Sequence, residues 1–257
     1  MKSFSSVLIW FRIFLLILIW VPVLAVRRVF DRDPALYHTG KLFRQLGHVI
    51  SKINPNWKIE IEGNTEINDR KPYIVVSNHM SNADIPLISN LPWEMKWVAK
   101  KELFEVPVIG WLMRLAGDIS VDRQAKDRRA ITLKKCIYYL DRNCSVIFFP
   151  EGTRSRDGNL NRFTNGAFDL AIRKNIDVLP LVIDGTKDCL PKKSWKFKPD
   201  VHVRLKILEP VSSDSFSKKE AAKFSEYVRM KIRNQLSEWR NEPVESVDNT
   251  LKELKER

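Results

Sequence analysis

Short apolar runs alternate with helical stretches from Trp57 to Arg240, and this alternation constrains the fold more than any other feature of the chain. Strands separated by helices indicate an α/β fold, with a largely parallel or mixed central sheet flanked by helices. Since 257 residues suit one core with an appendage, we expect a single domain at 57–240. The predicted strands are Trp57–Glu62, Tyr73–Ser77, Met95–Lys100, Gly117–Arg123, Ser145–Phe149, Val178–Ile183 and Val201–Ile207, and the longest predicted helices are Lys126–Leu140 and Ser217–Arg240.

The first 56 residues predict a membrane-associated region. Val7–Val26 contains one charge, Arg12, and one proline, Pro22, among apolar residues. Its Leu, Ile, Phe and Val side chains together favour insertion by about 4 to 9 kcal/mol, against about 3 kcal/mol for an arginine at mid-bilayer. A cleaved signal peptide is the alternative, but the apolar region is longer than such peptides usually have. We therefore expect a retained membrane helix, and leave open whether it spans or only dips into the bilayer.

A second N-terminal segment, Ala35–Ile53, has apolar residues at near-helical spacing and basic residues at other positions. This pattern predicts an amphipathic helix at a membrane surface, and a helix packed on the core is the alternative. The two segments together suggest a two-helix membrane anchor. The Arg27-Arg28 pair after the first segment places the rest of the chain on the cytoplasmic face of the cytoplasmic membrane.

Net charge narrows the choice of partners. Lys and Arg number 44 against 31 Asp and Glu, a net charge of +13, which favours an anionic partner such as nucleic acid, an acidic membrane or a phosphorylated substrate. The sequence lacks basic patterns with interspersed aromatics and zinc-ligand spacings, so we expect neither nucleic acid nor a bound metal. The scattered Cys136, Cys144 and Cys189 predict buried, reduced thiols, and 241–257 predicts a charged C-terminal tail.

The motif NHMSNAD, Asn78–Asp84, carries His79 and Asp84 five positions apart, directly after a predicted buried strand. Along an unbroken helix, five residues turn by about 500°, so the two side chains meet only if the backbone turns between them. A carboxylate that meets the imidazole keeps one ring nitrogen protonated and leaves the other free to take a proton from a hydroxyl. A capping aspartate beside a partly buried histidine is the alternative.

Polar residues also follow other predicted strands. Lys100, Arg123 and the run Glu151-Gly152-Thr153-Arg154 stand at carboxyl ends of strands. In open α/β sheets, ligands bind at that edge. Arg123 or Arg154 can grip a phosphate through two parallel hydrogen bonds, whereas the alternative for either one is a solvated surface arginine.

Three motifs together carry a family resemblance. NHMSNAD, GDISVDR and FPEGTRS resemble, in order and spacing, the His-x4-Asp motif and the next two sequence blocks of the glycerolipid acyltransferases, particularly the bacterial 1-acylglycerol-3-phosphate acyltransferases. The resemblance extends from about Pro72 to Gly185. Ser120 and Thr164 depart from the residues that the family usually has at these positions.

The resemblance implies transfer of a fatty acyl group to the sn-2 hydroxyl of 1-acyl-glycerol-3-phosphate, which forms phosphatidic acid. The donor is an acyl thioester, either acyl-coenzyme A or acyl carrier protein, and no resident cofactor is implied. His79 is the predicted general base and Asp84 its orienting carboxylate. The predicted substrate-binding residues are Lys100 for the oxyanion, with backbone amides near His79 and Asp84 as the alternative donors, Arg123 and Arg154 for the phosphate, and Glu151, Gly152 and Thr153 for the glycerol.

Other functions remain open on the sequence alone. The same chemistry with a different lysolipid or an aminolipid as acceptor is one alternative. A serine or cysteine hydrolase is another, although no G-x-S-x-G motif is present. A membrane scaffold without catalysis, binding anionic lipid through its positive charge, is the alternative from a different class.

Overall fold

The computed structural model describes residues 2–54, 57–68, 70–122, 126–190, 194–198 and 200–255. The fold is mixed α/β with a seven-stranded sheet flanked by helices, which confirms the predicted fold class. The chain divides into two compact units, each built from three segments. The first unit comprises Met1–Pro55, Glu66–Tyr73 and Ile85–Ile147, and the second comprises Asn56–Thr65, Ile74–Asp84 and Phe148–Arg257. The predicted boundaries at 56 and 240 stay predictions.

The elements follow the predicted alternation closely. The strands are β1 (Trp57–Glu62), β2 (Ile74–Ser77), β3 (Met95–Lys100), β4 (Ile119–Val121), β5 (Ser145–Phe148), β6 (Val178–Asp184) and β7 (Val201–Ile207). The helices are α1 (Lys2–Phe30), α2 (Tyr37–Ile53), α3 (Asp84–Ile88), α4 (Lys101–Glu105), α5 (Ile109–Ala116), α6 (Lys126–Leu140), α7 (Gly166–Lys174), α8 (Thr186–Cys189), α9 (Ala221–Arg240) and α10 (Asn249–Lys255).

The N-terminal helices of the first unit pack on one another. By length and composition alone, α1 can cross a membrane over Ser5–Phe30, with a mean hydropathy of 2.6. Helices α1, α2 and α5 meet around Leu24, Leu46 and Leu112, which are at most 3% exposed. Apolar residues of α2 therefore pack against α1 and α5, and a contact of α2 with a membrane surface stays a prediction.

A buried charge network joins the elements of the first unit. Arg44 of α2 donates to Glu94, with Nε 3.4 Å from Oε2, and forms a short hydrogen bond to Asp118. Lys96 of β3 donates to Glu94 Oε1 at 2.9 Å and to the carbonyl oxygens of Leu36 and Ala116 at 3.0 and 2.8 Å. None of the four charged residues is more than 7% exposed. Their mutual pairing compensates for the removal of the charges from water.

The strands of each unit pair with one another. In the first unit, β3 pairs in parallel with β4 and with β5. In the second unit the order is β1-β7-β6-β2, where β1 with β7 and β2 with β6 are parallel and β6 with β7 is antiparallel. All four residues of β2 are buried, whereas residues of β1 alternate between half-buried and exposed positions. The sheet is therefore mixed, and β1 lies at its edge, as predicted.

Strand and helix ends differ from prediction where a specific contact stops the element. The predicted strand Gly117–Arg123 is only Ile119–Val121 in the described chain, because Gly117 caps α5 with φ of 79° and Asp118 joins the buried charge network. Helix α9 begins at Ala221 rather than Ser217, because Ser217 to Glu220 form a separate turn that is closed by the Glu220 N–H donating to the Ser217 carbonyl oxygen at 2.9 Å. Part of the predicted tail is packed rather than solvated: Val247 and Asp248 are fully buried.

Candidate active site

The site begins where strand β2 ends. Asn78 follows β2 and is 2% exposed. Its side chain brackets the backbone of Ile183 on β6: Nδ2 donates to the carbonyl oxygen at 2.8 Å, and Oδ1 accepts the N–H at 2.8 Å. These two bonds replace a pair of sheet hydrogen bonds with a side chain. The backbone is therefore free to turn away from the sheet at His79.

His79 and Asp84 meet across that turn. The distance from His79 Nδ1 to Asp84 Oδ2 is 2.6 Å. The same carboxylate oxygen accepts the backbone N–H groups of Met80 at 2.9 Å and Ser81 at 3.1 Å. A single oxygen thus organises the turn and holds the ring. The predicted contact is present, and its catalytic role stays a prediction at this point.

The second oxygen of Asp84 contacts Thr186, the first residue of α8. The Thr186 hydroxyl donates to Asp84 Oδ1 in a short hydrogen bond, and both residues are fully buried. With the three donors on the other oxygen, four hydrogen bonds fix the orientation of the carboxylate. Since a carboxylate only accepts, His79 Nδ1 carries the proton, and Nε2 is the nitrogen that can act as a base.

The imidazole of His79 is fixed from several further directions. Its ring stacks on Phe149, with centroids 4.0 Å apart and an interplanar angle of 19°. Its backbone N–H donates to Glu151 Oε1 at 2.8 Å, and its carbonyl oxygen accepts the Ser155 N–H at 2.8 Å. The His79 side chain is 17% exposed. It is therefore held in one place while still open to a substrate.

Glu151 is a supporting group for this arrangement. Its Oε2 accepts the backbone N–H and the side-chain Nδ2 of Asn161, at 3.0 and 2.8 Å, while Oε1 accepts from His79. Burial raises the pKa of the Glu151 carboxyl to about 7, although the hydrogen bonds from His79 and Asn161 act in the opposite direction. Both oxygens are used within the protein, so the described contacts place Glu151 in support of His79. Its predicted contact with the glycerol remains untested.

The other predicted substrate-binding residues fall into three groups. Gly152 forms a tight turn with φ of 76°, and Thr153 and Arg154 are exposed on the same turn. Arg154 makes no ion pair with any residue that the structure describes, and it directly precedes Ser155, whose N–H contacts His79. Lys100 is exposed at the end of β3 in the first unit. Arg123 lies outside the described residues.

Three residues of the site were missed in the sequence: Phe149, Asn161 and Thr186. Thr186 carries the clearest signal, because it follows β6 almost directly and so obeys the same strand-end rule as His79. Phe149 follows β5 and has the appearance of a core residue in an apolar run. Asn161 has no local pattern, since its partner Glu151 is ten positions away.

Other kinds of site find no support among the described residues. They contain no group of three or more His, Cys, Asp or Glu side chains arranged to hold a metal ion. Cys136, Cys144 and Cys189 are all buried. Burial raises the pKa of the Cys136 and Cys144 thiols to about 12 and also raises that of Cys189, so these thiols are poor nucleophiles.

Comparison with known proteins identifies the family to which this chain is similar. The sequence model of the family described as Acyltransferase matches residues 58–184. A chloroplastic 1-acyl-sn-glycerol-3-phosphate acyltransferase of Arabidopsis thaliana is 35% identical over 65% of this chain and 49% of its own length. A 1-acyl-sn-glycerol-3-phosphate acyltransferase of Limnanthes douglasii is 32% identical over 77% of this chain and 70% of its own length. The chain thus spans about half the length of the first relative and over two thirds of the second.

The fold is also similar to that of a solved acyltransferase. The crystal structure of PlsC, the 1-acyl-sn-glycerophosphate (LPA) acyltransferase of Thermotoga maritima, is similar with a TM-score of 0.78 and 28% identity, over 93% of this chain and 96% of that one. The α/β fold of this chain is therefore shared with a known acyltransferase. The chain belongs to this acyltransferase family.

Proposed function

We propose that this protein transfers a fatty acyl group from an acyl thioester to the sn-2 hydroxyl of 1-acyl-glycerol-3-phosphate and so forms phosphatidic acid. The 2.6 Å contact between His79 Nδ1 and Asp84 Oδ2 is the observation that carries the proposal, because it supplies an oriented general base. The names of the relatives support lysophosphatidic acid as the acceptor.

The reaction needs no protein nucleophile. His79 Nε2 takes the proton of the acceptor hydroxyl while the hydroxyl oxygen attacks the thioester carbonyl, and Asp84 stabilises the resulting imidazolium. Collapse of the tetrahedral intermediate breaks the C–S bond, and His79 passes the proton to the departing thiolate. The products are an ester and a free thiol. Backbone amides near the turn, or Lys100, are the proposed donors to the oxyanion.

Recognition of the acceptor falls to the arginines. Arg154 is exposed on the turn that contacts the His79 backbone, and no described residue pairs with it. Its planar fork suits a phosphate monoester. We include Arg123 in the phosphate site on the strength of its motif. The net charge of +13 acts in the same direction, since it favours the approach of an anionic lipid.

The substrates and the N-terminal helix also belong together. A lysophospholipid resides in a bilayer, and α1 is long and apolar enough to hold the chain there. We propose that the catalytic residues work on the cytoplasmic face of the cytoplasmic membrane, with acyl-coenzyme A or acyl carrier protein as the donor and without a resident cofactor. The Arg27 and Arg28 side chains at the end of α1 support this orientation.

A substrate panel tests the proposal. Purified protein in detergent receives lysophosphatidic acid, lysophosphatidylcholine, a monoacylglycerol or an aminolipid, each with acyl-coenzyme A or acyl carrier protein, and products are identified by mass. We expect phosphatidic acid as the main product. Acylation of another acceptor in preference to lysophosphatidic acid would show that the acceptor is wrong. Release of free fatty acid with a covalent acyl-protein adduct would instead show a hydrolase.

A further inference from the structure

The C-terminal segment contacts the loop that supports His79. We infer that Asn249 is a positioning residue for the acyl-transfer site, which acts on His79 through Asn161 and Glu151 without touching substrate. This inference rests on the proposed function. Asn249 lies outside residues 58–184, the part matched by the family model, so the family match assigns it no role.

A continuous series of hydrogen bonds leads from Asn249 to the base. Asn249 Nδ2 donates to Asn161 Oδ1 at 3.0 Å. Asn161 Nδ2 donates to Glu151 Oε2 at 2.8 Å, and Glu151 Oε1 accepts the His79 N–H at 2.8 Å. Four residues from distant parts of the sequence are thus connected by three direct contacts, all within the second unit.

The direction of each bond gives Asn249 its effect. A primary amide has an acceptor at one end and a donor at the other, so a donor at Asn161 Oδ1 forces Asn161 Nδ2 to face Glu151. Without Asn249, Glu151 is the only described partner left to the Asn161 amide, so the side chain is freer to turn away from the carboxylate. Glu151 then loses a side-chain donor at Oε2, and its hydrogen bond with the His79 N–H is held less firmly.

The orientation of Asn249 is itself fixed. Its Nδ2 also donates to Asp157 Oδ1 at 3.2 Å, and its Oδ1 accepts from Asn159 Nδ2 at 3.4 Å. Burial acts to raise the pKa of Asp157, but hydrogen bonds from Asn159, Ser155 and Asn249 outweigh it and lower this pKa to about 2. Asp157 is therefore an anion near neutral pH, and an anion can only accept. The Asp157 carboxylate therefore fixes Nδ2 as the end of the Asn249 amide that faces this cluster, and with it the direction of donation along the series.

The segment that carries Asn249 is firmly attached. Leu160 donates its N–H to the Val247 carbonyl oxygen at 2.8 Å, and the Asn249 N–H donates to the Leu160 carbonyl oxygen at 3.0 Å. Val247 and Asp248 are fully buried, and Arg229 Nη1 donates to both oxygens of Asp248 at 2.8 and 2.7 Å. A buried, charge-paired residue next to Asn249 holds its amide in place, as positioning requires.

The test compares Asn249→Ala with the adjacent Thr250→Ala in the full-length protein. Thr250 contacts Arg229 Nη1 at 3.4 Å and has no described contact with Asn161. We expect Asn249→Ala to lower kcat of acyl transfer by about tenfold while KM for both substrates changes less than about twofold. Thr250→Ala is expected to keep near-normal kcat, and both variants to keep the thermal midpoint. A kcat for Asn249→Ala equal to that of Thr250→Ala would overturn the inference.

A double variant separates positioning from general packing. If Asn249 acts only through Asn161, Asn161→Ala lowers kcat at least as much as Asn249→Ala, and the combination lowers it no further. Losses that multiply would mean that the two residues act independently, which would contradict the inference.

Hydrogen exchange provides a reading that does not depend on activity. The peptide containing His79 is followed by mass spectrometry, and we expect its amide exchange to be faster in Asn249→Ala but not in Thr250→Ala. If the wild-type protein acylates no acceptor, the proposed function fails, and faster exchange alone still supports the contact series. If the wild-type protein is active and exchange is unchanged in Asn249→Ala, the inference fails while the proposed function stands.

Discussion

At the scale of single residues, the site is built around His79. Described contacts hold its Nδ1, one face of its ring and its backbone, and leave Nε2 open to a substrate. Asp84 fixes the tautomer and Phe149 covers a face of the ring, while Glu151 and Ser155 hold the backbone. Such preorganisation matters in direct acyl transfer, because the alcohol must attack in one step with its proton already directed at the base. Each of these contacts can be removed separately.

Thr186 offers the cleanest test of how firmly Asp84 must be held. Thr186→Val keeps the shape of the side chain but leaves Asp84 Oδ1 without its hydroxyl donor. We expect kcat to fall by about tenfold, and the free energy of unfolding by about 1 to 3 kcal/mol. Thr186→Ser, which keeps the hydroxyl, should restore most of both. Equal activity of the valine and serine variants would show that this hydrogen bond is dispensable.

Arg154 tests recognition of the phosphate. Arg154→Ala is expected to reduce kcat/KM for lysophosphatidic acid by about tenfold to a hundredfold, because a charge-assisted bidentate contact is lost. For a monoacylglycerol acceptor, which has no phosphate, little change is expected. Arg156→Ala, an exposed arginine two positions further on, is the matched control. The same proportional loss with both acceptors would mean that Arg154 has a structural role.

Glu151 makes a prediction about pH. Its folded pKa, about 7, is above the ordinary value of 4.5, so the folded protein holds this proton where the unfolded chain has released it. The contribution of Glu151 to stability therefore declines as pH rises from about 4.5 to about 7. Glu151→Gln cannot titrate, and its thermal midpoint relative to wild type should rise across that interval. A constant difference between the two proteins would contradict the raised pKa.

At the scale of secondary-structure elements, the pattern of apolar residues was enough to predict most of the fold. All seven predicted strands and the two long helices are present, with shifts at their ends. The errors arose where distant partners intervene. Arg44 sits among the polar positions of an amphipathic helix in the sequence, yet it is 6% exposed because Glu94 and Asp118, 50 and 74 positions away, pair with it. Local periodicity carries no information about such partners.

The same limit applies to the site. Motif spacing left a capping aspartate as the alternative to a contact between His79 and Asp84, and the family resemblance together with the strand-end setting favoured the contact that is present. Thr186 and Asn161 were not predicted, because their contacts with Asp84 and Glu151 depend on how strands and loops assemble. Asn249 was assigned to a charged tail, since a short segment with few apolar residues gives no sign of burial. Long-range polar contacts are therefore what the structure adds to the sequence.

The buried charge network gives the prediction that belongs to this scale. Arg44→Ala leaves Glu94 and Asp118 buried with one partner fewer, and we expect a loss of about 3 to 5 kcal/mol in the free energy of unfolding. Arg173→Ala breaks the exposed i,i+4 pair with Asp169 and should cost at most about 0.5 kcal/mol. Thermal unfolding in detergent measures both. Similar midpoints for the two variants would show that the network contributes little.

At the scale of the whole molecule, a long apolar helix, a strongly positive net charge and a histidine held by an aspartate occur in one chain. Each feature alone has several explanations. Together they support the proposal of an enzyme whose acceptor is an anionic lipid, since a helix of this length and composition can hold a chain at a bilayer and positive charge favours an anionic head group. Membership of the acyltransferase family supports acyl transfer as the proposed reaction.

The most direct measurement is the turnover of His79→Ala with lysophosphatidic acid and an acyl thioester, with phosphatidic acid quantified by mass. Removal of the base should lower kcat by at least about a thousandfold, while the protein remains folded and its membrane association stays that of the wild-type protein. His38→Ala, which removes a histidine from α2, is the control and should keep full activity. Near-normal formation of phosphatidic acid by His79→Ala would contradict the account.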